Sequence, residues 1–128
     1  MTEVQTHKSP YTGEVAGAVQ IVAPEFTHFP PEGVFPHLAR ITIEYVPREM
    51  TLDADSVGEY CIGFRDERLT QEEAVQKICE ELCAACQPMM MNVTSQYSMR
   101  NGLAASPQAR YVHPDAGQKK SPIQTLGR

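Results

Sequence analysis

The chain has 128 residues, a net charge of −5 and 41% hydrophobic residues. That length supports one domain around one modest core, and that composition excludes wholesale disorder. The negative charge, without any Lys/Arg cluster, argues against a nucleic-acid partner, and no apolar run is long enough to make a membrane span.

The two ends read as flexible tails. Residues 1–17 and 112–128 are polar, carry prolines and lack apolar periodicity, so they bury too little surface to offset the entropy of ordering. The N-terminus has no positive segment followed by an apolar stretch, so no secretory leader is expected. The organised domain is expected over residues 18–111.

Ala18–Ala23 reads as a short strand. Glu25–His37, with prolines at 24, 30, 31 and 36, reads as a loop. Leu38–Val46 alternates: Ile41, Ile43 and Tyr45 share one face, Thr42 and Glu44 the other, and Pro47 ends the strand. Leu52–Phe64 suits a helix capped by Asp53 or Asp55, with Val57, Tyr60, Cys61 and Phe64 at helical spacing.

Thr70–Gln87 is the clearest element. Thr70 and Glu73 have capping-box spacing, and Ala74, Val75, Ile78, Cys79, Leu82, Cys83 and Cys86 form one apolar stripe. Met89–Val93 and Gln96–Arg100 then read as strand, followed by a turn at Asn101–Gly102. The predicted order is strand, strand, helix, helix, strand, strand.

Three of the four cysteines, Cys79, Cys83 and Cys86, crowd onto that helical stripe, with Cys61 apart. This is no disulfide framework; it suits reduced thiols in a cytoplasmic protein. Free cysteines pack as small hydrophobes, and structural zinc sites usually offer knuckle pairs on turns, so no metal is assigned. Met89–Met91 reads as strand core.

Gln71 and Glu72 lie in the helix's first turn, where acidic residues are common because they complement the helix dipole. A carboxylate there can also accept the paired N–H donors of a guanine or pterin edge. His28 and His37, both in the proline-rich segment, are either solvated loop residues or candidate acid/base groups.

Taken together, these segments resemble the 7-cyano-7-deazaguanine reductase (QueF) family from about Glu25 to Tyr111. Glu25-Phe26-Thr27, Ile41–Pro47, Phe64-Arg65 and Ser98–Leu103 carry the resemblance in one common register, Arg100 and Gly102 included. It implies an α+β tunnelling fold: a four-stranded antiparallel sheet with two helices between strands two and three. Such chains close into an oligomeric ring or barrel with sites between subunits.

The departures within that register bear on function. The family's nucleophilic cysteine, which forms a covalent thioimide with the nitrile, falls on Pro30, and its proton-shuttling aspartate falls on His37. Its Glu-Ser-Lys-Ser-x-Lys cofactor motif falls on Asp53-Ala54-Asp55-Ser56-Val57-Gly58, so both lysines are lost and no NADPH is predicted. Its substrate-binding His-Glu pair falls on Gln71-Glu72. GTP cyclohydrolase I, of the same fold, has Gln-Glu at the matching place but cysteine and histidine zinc ligands that this chain lacks.

The resemblance therefore implies Glu72, Gln71, Ser56 and Arg100 as ligand-binding residues, with Glu67 a rival anchor. His28 and His37 are the only catalytic candidates. The expected activity is binding of a purine, deazaguanine or pterin-type ligand by a homo-oligomer. The alternatives are an active nitrile reductase of queuosine biosynthesis and a non-catalytic subunit partnering an active paralogue.

Overall fold

The computed structural model describes residues 3–116. It contains β1 (Thr6–Lys8), β2 (Val19–His28), β3 (His37–Val46), β4 (Met50–Leu52), α1 (Ala54–Ile62), α2 (Gln71–Cys86), β5 (Met90–Tyr97) and β6 (Gln108–Val112). Strands β2-β3-β5-β6 form one antiparallel sheet in that order, and β1 pairs with β4 in a separate ribbon. The two helices thus fall between the second and third strands of the main sheet, as expected.

Alternation builds the core. Ile41, Ile43 and Tyr45 of β3 and Met91 and Val93 of β5 are fully buried on the face that meets α1 and α2. From α2 come Ala74, Val75, Ile78, Cys79, Leu82 and Cys86; from α1, Val57, Tyr60 and Cys61. On the opposite face one row crosses all four strands: Gln20, Glu44, Asn92 and Arg110. Gln20 Nε2 donates to Glu44 Oε2 at 3.1 Å, while Asn92 Nδ2 is buried without a partner among the described residues.

Both helices end as the sequence dictates. Asp53 caps α1, its carboxylate accepting from the Ser56 N–H. The capping box of α2 is complete: Glu73 N–H donates to Thr70 Oγ1, and Thr70 N–H donates to Glu73 Oε1. Gln87, with φ 47, closes α2 in the left-handed region before Pro88. Asn101 and Gly102, both at positive φ, make the expected turn.

Several boundaries differ from the sequence reading. Residues 25–28, expected in the loop, belong to β2. Pro24 sits at a bulge between Ala23 and Phe26, where the ladder is interrupted and its missing N–H costs nothing. Residues 96–97 continue β5 rather than starting another strand, and the last strand is β6. Edge strand β6 half-buries only Ala109 and Tyr111, too weak a pattern to stand out.

The N-terminal tail also needs correction. Thr6–Lys8 pairs with Met50–Leu52 through backbone and polar bonds that leave no apolar periodicity. Gln5 N–H donates to Ser56 Oγ at 2.9 Å, and Asp53 N–H donates to the Gln5 carbonyl at 2.8 Å. Of the expected C-terminal tail, Val112 ends β6 and the His113 N–H donates to the Met89 carbonyl; residues 117–128 lie outside the described residues.

Tyr45 joins the sheet to this ribbon, its buried hydroxyl accepting from the Leu52 N–H at 2.9 Å. Tyr45→Phe keeps the ring but strands that donor. It is expected to cost about 1–3 kcal/mol in urea unfolding; an unchanged midpoint contradicts this role.

Candidate functional site

His28 ends β2, His37 begins β3, and the two are register partners. Tyr97, at the end of β5, pairs with Ala39 two residues further along β3. Three rings meet as a result: the His28–His37 centroids are 5.4 Å apart, and Tyr97 stands edge-on to both at 5.7 Å. Phe26 and Phe64 pack beneath them.

The hydrogen bonds fix the His28 tautomer. Its Nδ1 lies 3.0 Å from the Phe29 carbonyl, which only accepts, so Nδ1 carries the proton. Nε2 therefore accepts from the Tyr97 hydroxyl at 2.8 Å. Burial lowers the His28 pKa against the opposing pull of the Phe29 bond and Glu67, which keeps the ring neutral. Burial, then Glu72, pushes the Tyr97 phenol above its ordinary range.

His37 is half-buried. Gln71 Nε2 lies 3.5 Å from its Nδ1, and its pKa is lowered by burial, then by Arg100 and His28. Among the described residues, both nitrogens of His28 are engaged, whereas only Nδ1 of His37 has a partner.

The start of α2 is held beside these rings by the backbone. Phe29 N–H donates to the Glu67 carbonyl and Leu69 N–H to the Phe29 carbonyl, each at 2.9 Å. Gln71 thereby reaches His37, and Glu72 comes within electrostatic range of Tyr97. Glu72 is exposed in a shallow groove with Pro107 and Gln108, and it makes no hydrogen bond or ion pair among the described residues. The rival Glu67 accepts from Lys77 Nζ at 2.9 Å.

Other expected site residues have different surroundings. Arg100 Nη2 donates to the Pro36 carbonyl at 2.6 Å and Nη1 to the Phe35 carbonyl at 3.4 Å, bracing the loop between β2 and β3. Arg68, which the sequence reading passed over, does the same for Pro30 and Gly33 while lying over the Phe29 ring. Ser56 is not brought to the ring cluster: its hydroxyl sits between Gln5 N–H and the Asp53 carbonyl, under β1. Tyr97 was also missed, since nothing local distinguishes it from any aromatic residue at a strand's end.

The thiols lie away from the loop. Cys61 is on α1 and the other three are on α2, with burial pushing Cys61 up to about 11 and Cys86 up to about 12. Among the described residues no three His, Cys, Asp or Glu side chains converge as a metal-binding group, and no helix is long and apolar enough to cross a membrane.

A four-stranded antiparallel sheet with two helices between its middle strands defines a tunnelling fold. A solved structure titled as the archaeosine synthase QueF-Like, in its apo form, shares it: TM-score 0.71 at 21% identity, covering 83% of this chain and 98% of that one. The chain belongs to the QueF-like family, whose model, described as "QueF-like protein", matches residues 36–116. Among its relatives is the NADPH-dependent 7-cyano-7-deazaguanine reductase of Thioalkalivibrio sulfidiphilus. It is 30% identical over 113 residues, covering 88% of this chain and 87% of that protein. The protein of the same name from Anaeromyxobacter dehalogenans is 31% identical, covering 90% and 93%.

Because the native state binds a proton at His28 less readily than the unfolded chain does, stability from this group is complete above about pH 6.5. It is lost as pH falls from there towards the lowered folded value. Urea midpoints measured across that window are expected to fall more steeply for the native protein than for His28→Gln. Parallel curves contradict the assignment.

Proposed function

We propose that this protein binds a purine, deazaguanine or pterin-type ligand through the Glu72 carboxylate. The observation that carries this reading is an acidic side chain in the first turn of α2 without a partner among the described residues, within electrostatic range of Tyr97 in a neutral ring cluster. A carboxylate accepts two parallel N–H bonds from a guanine-like edge. Gln71, next to Glu72 in the chain, reaches His37 at 3.5 Å and adds polar groups near the helix start.

Glu72 opens into a shallow groove rather than an enclosed pocket, so the ligand's remaining walls come from a second copy in a homo-oligomer. The polar second face of the sheet, with its two edge strands, supports such an assembly.

We infer further that NADPH-dependent nitrile reduction is absent. In the family register the nucleophile is Pro30, which has no nucleophilic atom, and the four thiols lie on the helices. The start of α1, where the family's cofactor motif falls, does not fit a nucleotide phosphate. The Asp53 carboxylate is engaged by His7 and Ser56, Ser56 Oγ already has two bonds, and Asp55 adds negative charge. The relatives' names favour a reductase, whereas the neighbour's title names a synthase.

Glu72→Gln is expected to weaken binding of the best ligand in a guanine, 7-deazaguanine and pterin panel by about 2–4 kcal/mol, because a donor then faces a donor. Folding stability stays near native, since the cap rests on Thr70 and Glu73. Calorimetry checks the affinity, and sedimentation of the same samples checks the assembly. Equal affinity of the two proteins shifts the anchor to Glu67.

Incubated with NADPH and 7-cyano-7-deazaguanine, the protein is expected to leave the cofactor's absorbance unchanged. A loss that scales with both protein and nitrile overturns the inferred absence of reductase activity.

A further inference from the structure

The face of α2 that meets β5 carries sulfur at three neighbouring positions. The Cys83 thiol points at Met91 Sδ, 3.8 Å away. Met91 is fully buried. Cys79, one helical turn before Cys83 on the core-facing stripe of α2, is also buried, and side chains four apart on a helix are neighbours. Cys83 itself is half-exposed, which gives solutes a way in. Eleven residues of helix, about 16 Å, separate Cys83 from Glu72.

We propose that Cys79, Cys83 and Met91 form a three-sulfur site for a soft monovalent cation, copper(I). Metal–sulfur bonds of about 2.3 Å that span the Cys83–Met91 separation meet at about 110°, between tetrahedral and trigonal values. A linear two-coordinate ion would need its sulfurs about 4.6 Å apart, so the third sulfur is required.

The donor set selects the metal. Thiolate and thioether sulfur suit copper(I), whereas magnesium and calcium take oxygen. Zinc takes four Cys, His or carboxylate ligands, and among the described residues not even three such groups converge. The Cys83 thiol and the Met91 thioether already face each other at 3.8 Å, so both can turn a lone pair to an ion set to one side of the line between them. The Cys79 and Cys83 protons leave to solvent, two thiolates and one thioether bind the ion, and no electron moves because the copper arrives reduced.

The test is an anaerobic titration of the reduced full chain with copper(I) against bicinchoninate, a chromophoric copper(I) chelator. The native protein is expected to draw one equivalent from the chelator. Met91→Leu, which conserves volume, and Cys83→Ser are each expected to weaken retention by at least about tenfold. Cys61→Ser, on the other helix, leaves it unchanged. Failure of the native protein to take copper overturns the site. So does equal retention by the native protein and Met91→Leu, which marks adventitious thiol binding. Circular dichroism reports folding of each variant; should Cys83→Ser misfold, the native and Met91→Leu titrations still decide.

Discussion

Two backbone hydrogen bonds at Phe29, to Glu67 and Leu69, hold the site together. They join the end of β2 to the segment that leads into α2, across nearly forty residues of sequence, and so fix where the helix begins. The capping box then sets the first turn, and with it the places of Gln71 and Glu72 relative to His37 and Tyr97. The adjoining loop is rich in proline, which donates no backbone N–H, so its carbonyls need donors from elsewhere. Arg68 and Arg100 supply them at Pro30, Gly33, Phe35 and Pro36.

Charge is kept out of the interior beside that loop. His28 is neutral because it is buried and because the Phe29 carbonyl and the Tyr97 hydroxyl together accept only one tautomer. Tyr97 stays protonated next to Glu72. Membership of the QueF-like family accounts for the fold.

The N-terminal ribbon shapes the start of α1. By pairing with β4 and placing Gln5 over Ser56 and Asp53, β1 occupies the polar groups at the start of α1. Helix starts attract anions through free N–H groups and dipole. Here the chain's own Asp53 takes that role and His7 holds it in place, lowering the Asp53 pKa.

The sequence by itself determined whatever rests on local periodicity and local capping. The alternation of Ile41, Ile43 and Tyr45, the stripe from Ala74 to Cys86, the Asp53 cap and the Thr70–Glu73 box all follow from side chains a few residues apart. So does the Asn101–Gly102 turn, and the order of these segments carried the fold. Only the tertiary structure decided the rest. The β1–β4 ribbon and the half-exposed β6 lack an apolar signal, because backbone bonds to distant residues hold them. The passage of β2 through Pro24 depends on a bulge set by its partner strand. The joining of His28 to Tyr97, of Arg68 and Arg100 to the loop and of Cys83 to Met91 pairs residues whose spacing in sequence carries no period. Such contacts arise when strand register and helix packing are fixed together, so no window of sequence contains them.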